Sequence, residues 1–130
     1  MRICVDTSAY STFMQGDRGV KELLESADQV LVPAVVLGEL YAGFYMGQRT
    51  KTNIEELNSF LERPGIATVS SDVSIAERYG LLVKALKEAG TPIPTNDIWI
   101  AATALETGTR LITRDRHFKS IPGLLSHWSD

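Results

Sequence analysis

The feature that most restricts the fold of this chain is a rhythm of short apolar runs separated by helix-patterned segments. "RICVD" (2–6), "QVLVP" (29–33), "IATVS" (66–70) and "RLIT" (110–113) are short and rich in Val, Ile and Leu, as buried strands are. Between the first two, Val20, Leu23, Leu24 and Ala27 recur at helical spacing. Residues 34–47 are apolar nearly all round and close on Gly47. Ile54, Leu57, Phe60 and Leu61 share one helical face before "RPG" breaks the pattern at 63–65. A long helix follows with Ile75, Ala76, Tyr79, Leu82, Val83 and Leu86 inward, capped by Ser71 or Asp72 and ended by Gly90. "IWIAATALETG" is a last helix, closed by Gly108. Strands joined by helices of this length pair in parallel, because a parallel crossover needs a dozen or more residues. The expected fold is α/β: one domain over 1–130, in three α/β/α layers around a parallel sheet of four to five strands.

Finer points follow from the same pattern. Thr7 or Ser8 is expected to cap the helix after the first strand. "TPIPTN" (91–96) reads as a Pro-marked loop, with Asn96 a better cap for the last helix than Asp97. "RDRHFKSIPG" (114–123) reads as a loop, and "LLSHWS" (124–129) as a short edge strand. The single cysteine, Cys4, has no partner for a disulfide or a zinc site and reads as core filler.

Thirteen basic against sixteen acidic side chains give a formal net charge of -3. That excludes a simple basic clamp for nucleic acid, whose pI usually exceeds about 9. An acidic chain still acts on a polyanion when divalent metal neutralises its site. No apolar stretch reaches the roughly 18 residues of a membrane span, and the apolar part of "MRICVDTSAY" is short for a signal peptide. The expected location is the cytoplasm, with no membrane partner.

Four acids stand where a doubly wound sheet keeps its ligands, at the carboxyl ends of the strands. Asp6 ends the first strand, Glu39 lies about one and a half turns into the helix after the second, Asp97 opens the last helix, and Asp115 follows the fourth strand. Each has a structural alternative: Asp6 and Asp97 as helix caps, Glu39 on a narrow polar strip, Asp115 as a turn former. Together they repel one another unless a cation intervenes, and hard carboxylate oxygens select Mg²⁺ or Mn²⁺. Gly43, one turn beyond Glu39, leaves room for another backbone or a ligand.

"ICVDTSAY", "VPAVVLGELYAG", "GTPIPTNDIWIAATAL" and "RLITRDRHFKSIPGL", in this order and spacing, closely resemble the PIN-domain ribonucleases, specifically the bacterial VapC-type toxins. The resemblance implies a three-layer fold, metal-dependent endonucleolytic cleavage of RNA leaving 5'-phosphate and 3'-hydroxyl ends, and inhibition by a cognate antitoxin. It places the catalytic and metal-binding acids on Asp6, Glu39, Asp97 and Asp115 and the supporting polar residue on Thr113. Asp6 and Asp97 would hold the principal Mg²⁺ (or Mn²⁺), with Asp115 and Glu39 completing the cluster or orienting water. A housekeeping PIN nuclease without an antitoxin is the alternative.

Three rival readings leave specific signatures. A metal-free ribonuclease needs histidines as acid and base; only His117, in a charged loop, and His127, beside Trp128, are available, and both suit surface or packing roles. A phospho-acceptor signalling domain needs an acid pair by the first strand and a late lysine, whereas Asp6 has no acidic neighbour and "LITRDRHF" offers arginine. A non-catalytic module would use its acids only to fix the fold. For an RNA substrate, Arg114 and Arg116 flank Asp115 and are candidate phosphate contacts. Tyr41, Phe44, Tyr45 and Met46 crowd more large apolar surface onto one helix than a single buried face requires, which with the resemblance points to a homodimer or antitoxin docking.

Overall fold

A computed structural model describes residues 1–127. Five strands, β1 (Arg2–Val5), β2 (Gln29–Pro33), β3 (Ile66–Val69), β4 (Arg110–Ile112) and β5 (Ser126–His127), form one all-parallel sheet in the order β3-β2-β1-β4-β5. Six helices flank it: α1 (Thr7–Met14), α2 (Arg18–Ser26), α3 (Ala34–Met46), α4 (Thr50–Leu61), α5 (Val73–Ala89) and α6 (Thr95–Thr107). The α/β/α architecture read from the sequence is therefore present. Of the expected edge strand, Ser126 and His127 pair with β4, while Trp128 and Ser129 lie outside the described residues.

Burial follows strand position. Ile3, Cys4 and Val5 of central β1 are fully buried, because helices cover both of its faces. Edge strand β3 is only partly covered, and its Thr68 is exposed. The Cys4 thiol sits in this core, where burial pushes its pKa up to about 12, so it stays protonated at neutral pH and packs as a hydrophobe.

The structure moves several boundaries. The acid itself, not Thr7 or Ser8, caps α1: β1 stops at Val5, and Asp6 Oδ1 accepts from the Ala9 N–H at 2.8 Å. Helix α6 begins at Thr95, inside the expected loop, because the extended Pro94 (φ -56°) is already set for helix entry. Neither Asn96 nor Asp97 caps it; both lie in its first turn, and their side chains turn to other partners. "RDRHFKSIPG" contains a 3₁₀ turn at Arg116–Ser120, capped by Asp115 and anchored by buried Phe118. Ala76 is exposed, not inward. In α3 only Val36 and Leu40 are buried, and apart from its own helix backbone and chain neighbours nothing lies within 4 Å of where a side chain on Gly43 would begin, so among the described residues no other backbone approaches there. Gly90 and Gly108 close α5 and α6 as expected, in left-handed conformations at φ 70° and 65°.

Candidate active site

Strand order reverses between β1 and β4. From β1 the chain runs to β2 and β3 on one side, then returns to β4 on the other, which opens a crevice at the carboxyl ends of these two strands. Val5 pairs with Ile112, so the next residues, Asp6 and Thr113, emerge side by side. The Asp6 N–H still donates to the Ile112 carbonyl at 3.3 Å.

Asp6 is 4% exposed and thoroughly held. Its Oδ1 accepts from Ser8 Oγ at 2.7 Å as well as from Ala9, and its Oδ2 accepts from Thr113 Oγ1. Thr113, also buried, accepts in turn from the Asp115 N–H at 2.9 Å, so a single hydroxyl couples the first acid to the last. Ser8 has a similar double role, accepting from the Arg114 N–H at 3.0 Å. These bonds lock the β4 exit against the start of α1.

Glu39 is half-buried and held from two sides. Thr7 Oγ1 donates to its Oε1 at 2.6 Å, and Asn96 Nδ2 lies 3.4 Å from its Oε2. The polar residues after Asp6 and before Asp97 thus position this glutamate instead of capping helices. On α6, Asp97 projects toward the 3₁₀ turn. His117 Nδ1 lies 3.1 Å from Asp97 Oδ2 and 3.0 Å from Asp115 Oδ1, while the His117 N–H donates to Asp115 Oδ1 at 2.8 Å.

Electrostatics ties the four acids together. Burial pushes the Asp6 carboxyl above the ordinary aspartate range; bonds from Thr113, Ala9 and Ser8 oppose the rise, and the charge of Asp115 adds to it. Burial likewise raises Asp97, against the pull of His117 and with the repulsion of Asp115 and Glu39. A cation would relieve both groups. One donor atom each from Asp97, Asp115 and His117 falls within 4.8 Å of the others, as a single ion requires. The remaining donors are hard carboxylate oxygens, so the residues present fit a divalent cation such as Mg²⁺ or Mn²⁺.

All four acids named from the sequence converge here, with Thr113 between two of them. Arg114 and Arg116 are exposed beside the crevice. His117, expected at the surface or in packing, is half-exposed but stands among the acids. The sequence carried only a faint hint of it: apolar Phe118 and Ile121, three apart, turn out buried and anchor a short packed turn where a loop was expected.

Comparison with known proteins identifies the family. The PIN domain family model matches residues 3–124. Ribonuclease VapC2 of Rickettsia felis is 32% identical over 109 residues, covering 82% of this chain and 80% of the relative. Ribonuclease VapC4 of Mycobacterium tuberculosis is 31% identical over 91 residues, 70% of each. Among solved structures, VapBC-1 of nontypeable Haemophilus influenzae superposes with a TM-score of 0.87 at 25% identity, covering 98% of this chain and 97% of that one. VapBC2 of Rickettsia felis, bound to a DNA fragment from its promoter, gives 0.89 at 24% identity over 99% and 100%. The chain belongs to the PIN-domain family and, within it, to the VapC ribonucleases.

Proposed function

We propose that this chain is a Mg²⁺-dependent (or Mn²⁺-dependent) endoribonuclease toxin, acting in the cytoplasm and neutralised by a cognate antitoxin. The observation that carries the reading is the gathering of Asp6, Glu39, Asp97 and Asp115 at the β1/β4 crevice, with two of the four raised by burial. The relatives named ribonucleases and the solved VapBC pairs support the substrate class and the antitoxin.

In place of the Asp6–Asp97 pair expected from the sequence, Asp97 and Asp115, which offer donor atoms within 4.8 Å of one another, would hold the cation, with Asp6 and Glu39 completing its surroundings. When bound, a divalent ion supplies Lewis acidity and positive charge against the phosphodiester. Glu39, held by Thr7 and Asn96, would orient the attacking water. Thr113 keeps Asp6 and Asp115 in register, and α6 carries Asp97 on a helix whose Ile98 and Ile100 are buried, so its carboxylate is held rigidly. Arg114 and Arg116 would draw RNA phosphates to an otherwise acidic rim. A homodimer is part of the same proposal, supported by Tyr45 and Met46 of α3, 67% and 83% exposed.

The test is the sequencing of RNA ends produced by wild type and Asp97→Asn with Mg²⁺, with and without EDTA. The reading requires 5'-phosphate and 3'-hydroxyl ends from wild type, and no cleavage from the folded variant or under EDTA. Cyclic phosphate ends, or cleavage that survives EDTA, would refute it. Growth arrest on expression, relieved by the product of a neighbouring gene, would separate a toxin from a housekeeping nuclease.

A further inference from the structure

We propose that His117 is a nitrogen ligand of the metal centre and sets its preference among divalent ions. This rests on the metal-dependent reading above and adds a donor of a different chemical kind to the four carboxylates.

The geometry is that of a ligand set. Two donors on adjacent corners of an octahedral ion with bonds of about 2.1 Å stand roughly 3.0 Å apart. His117 Nδ1 is 3.1 Å from Asp97 Oδ2 and 3.0 Å from Asp115 Oδ1. The imidazole is also aimed by its surroundings. Asp115 caps the 3₁₀ turn through the His117 N–H, and Phe118, 2% exposed, fixes that turn to the core, so the ring projects from a rigid base toward α6. With its proton on Nε2, which stays free for solvent or RNA, the ring offers the Nδ1 lone pair to an ion between the two aspartates.

A nitrogen donor has a consequence that carboxylates alone lack. Imidazole favours the later first-row ions, while oxygen ligands suit Mg²⁺, Ca²⁺ and Mn²⁺. A centre holding His117 therefore favours Ni²⁺ or Co²⁺ over Mg²⁺ by more than carboxylates alone would, and that margin narrows when the ring is removed. In the opposing arrangement, Nδ1 carries a proton and merely bridges two carboxylates by hydrogen bonds. The ring would then have to leave or stay outside when metal enters.

The experiment uses the full chain without a histidine tag, in wild-type, His117→Ala and Asp97→Asn forms. Pulsed EPR of Mn²⁺-loaded wild type should show coupling to a ¹⁴N nucleus, and His117→Ala should lack it. Calorimetric titration should show the Ni²⁺-to-Mg²⁺ affinity ratio falling about tenfold or more in His117→Ala, with Asp97→Asn weakened toward both ions. Because His117 is half-exposed, the variant is expected to fold, and the wild-type EPR needs no variant at all. Mn²⁺ bound through Asp97 without nitrogen coupling, or an unchanged affinity ratio, overturns the histidine ligand and leaves the ribonuclease reading standing. Wild-type protein that takes up no divalent ion overturns both.

Discussion

The two ends of the sheet treat the same side chain in opposite ways. At the amino end, Asp28 precedes β2 and pairs with the amino group of Met1, whose hydrogen bond and charge hold its carboxyl below the usual aspartate range. Next to it, Arg2 donates to Gln29 and to the carbonyl of Thr107, the last residue of α6, both at 2.9 Å. At the carboxyl end, burial lifts Asp6 and Asp97 above that range, and the groups holding the acids are hydroxyls, amides and one imidazole. A chain arranged for stability alone would build both rims like the first. Concentrating like charge at one rim raises the free energy of the unliganded fold, a local conflict typical of functional sites.

The largest expected effect separates the rims outright. Asp6→Asn keeps a capping oxygen for the Ala9 N–H while deleting the buried charge. Cleavage should fall by at least about a thousandfold, roughly 4 kcal/mol of transition-state stabilisation. In EDTA at neutral pH the melting temperature should hold or rise. Asp28→Asn should do the reverse, leaving cleavage within about twofold and lowering the melting temperature slightly. If Asp6→Asn cleaves RNA normally, or melts well below wild type in EDTA, the contrast between the rims is wrong.

A smaller effect isolates the coupling within the acidic rim. Thr113→Val preserves shape but removes the donor to Asp6 and the acceptor for the Asp115 N–H. The expected loss of activity is about tenfold to a hundredfold, with a stability change of about 1–2 kcal/mol. Kinetics of the variant across Mg²⁺ concentrations should show the loss as a raised Mg²⁺ requirement, partly restored at high Mg²⁺. An unaltered Mg²⁺ response would mean that the hydroxyl positions nothing.

The pH dependence follows from the opposite shifts. Asp6 and Asp97, raised in the folded state, contribute stability that is complete below the ordinary aspartate pKa and lost as pH climbs through their higher folded values. Asp28, lowered in the folded state, contributes stability above that ordinary pKa and loses it as pH drops through its folded value. In EDTA, acidification from neutral pH toward the ordinary aspartate pKa should therefore raise the contribution of the acidic rim before Asp28 begins to fail. Mg²⁺ should raise the melting temperature by a few degrees at neutral pH, with the increment vanishing as the rim takes up protons. Calorimetric scans with and without Mg²⁺ measure both; a Mg²⁺ increment that grows on acidification contradicts the assignment.

Much of this asymmetry was legible in the sequence. Strand–helix alternation gives a parallel sheet, and a parallel sheet defines one rim for ligands, so Asp6, Glu39, Asp97 and Asp115 are placed together without knowing any contact. What the sequence concealed were distinctions of one or two residues. Asp6 proved to be the α1 cap because β1 ends one residue earlier than "RICVD" suggests, and caps read alike whichever of Asp6, Thr7 or Ser8 is used. Asn96 looked like a cap until Pro94 set the start of α6 ahead of it, leaving its amide to reach Glu39. His117 was hidden because a five-residue 3₁₀ turn is too short for periodicity to register, so only buried Phe118 and Ile121 hint at it.

The smallest predicted effect concerns how an acidic rim meets a polyanion. Arg114 and Arg116 are exposed on either side of Asp115, the one in the link out of β4 and the other opening the 3₁₀ turn. A phosphate contact releases counterions, and for single-stranded nucleic acid each such contact steepens the logarithmic salt dependence of affinity by about 0.7. Arg116→Ala should therefore flatten that slope by about 0.7 and weaken RNA binding severalfold at low salt, with little change in the melting temperature. Arg49→Ala, in the loop after α3, serves as the distant control and should leave the slope unchanged. Binding is best measured with Ca²⁺ in place of Mg²⁺, so that cleavage does not remove the ligand. Equal slopes for wild type and Arg116→Ala would mean that RNA reaches the acids without this arginine, and the positive charge required at the rim would have to come from the bound cation.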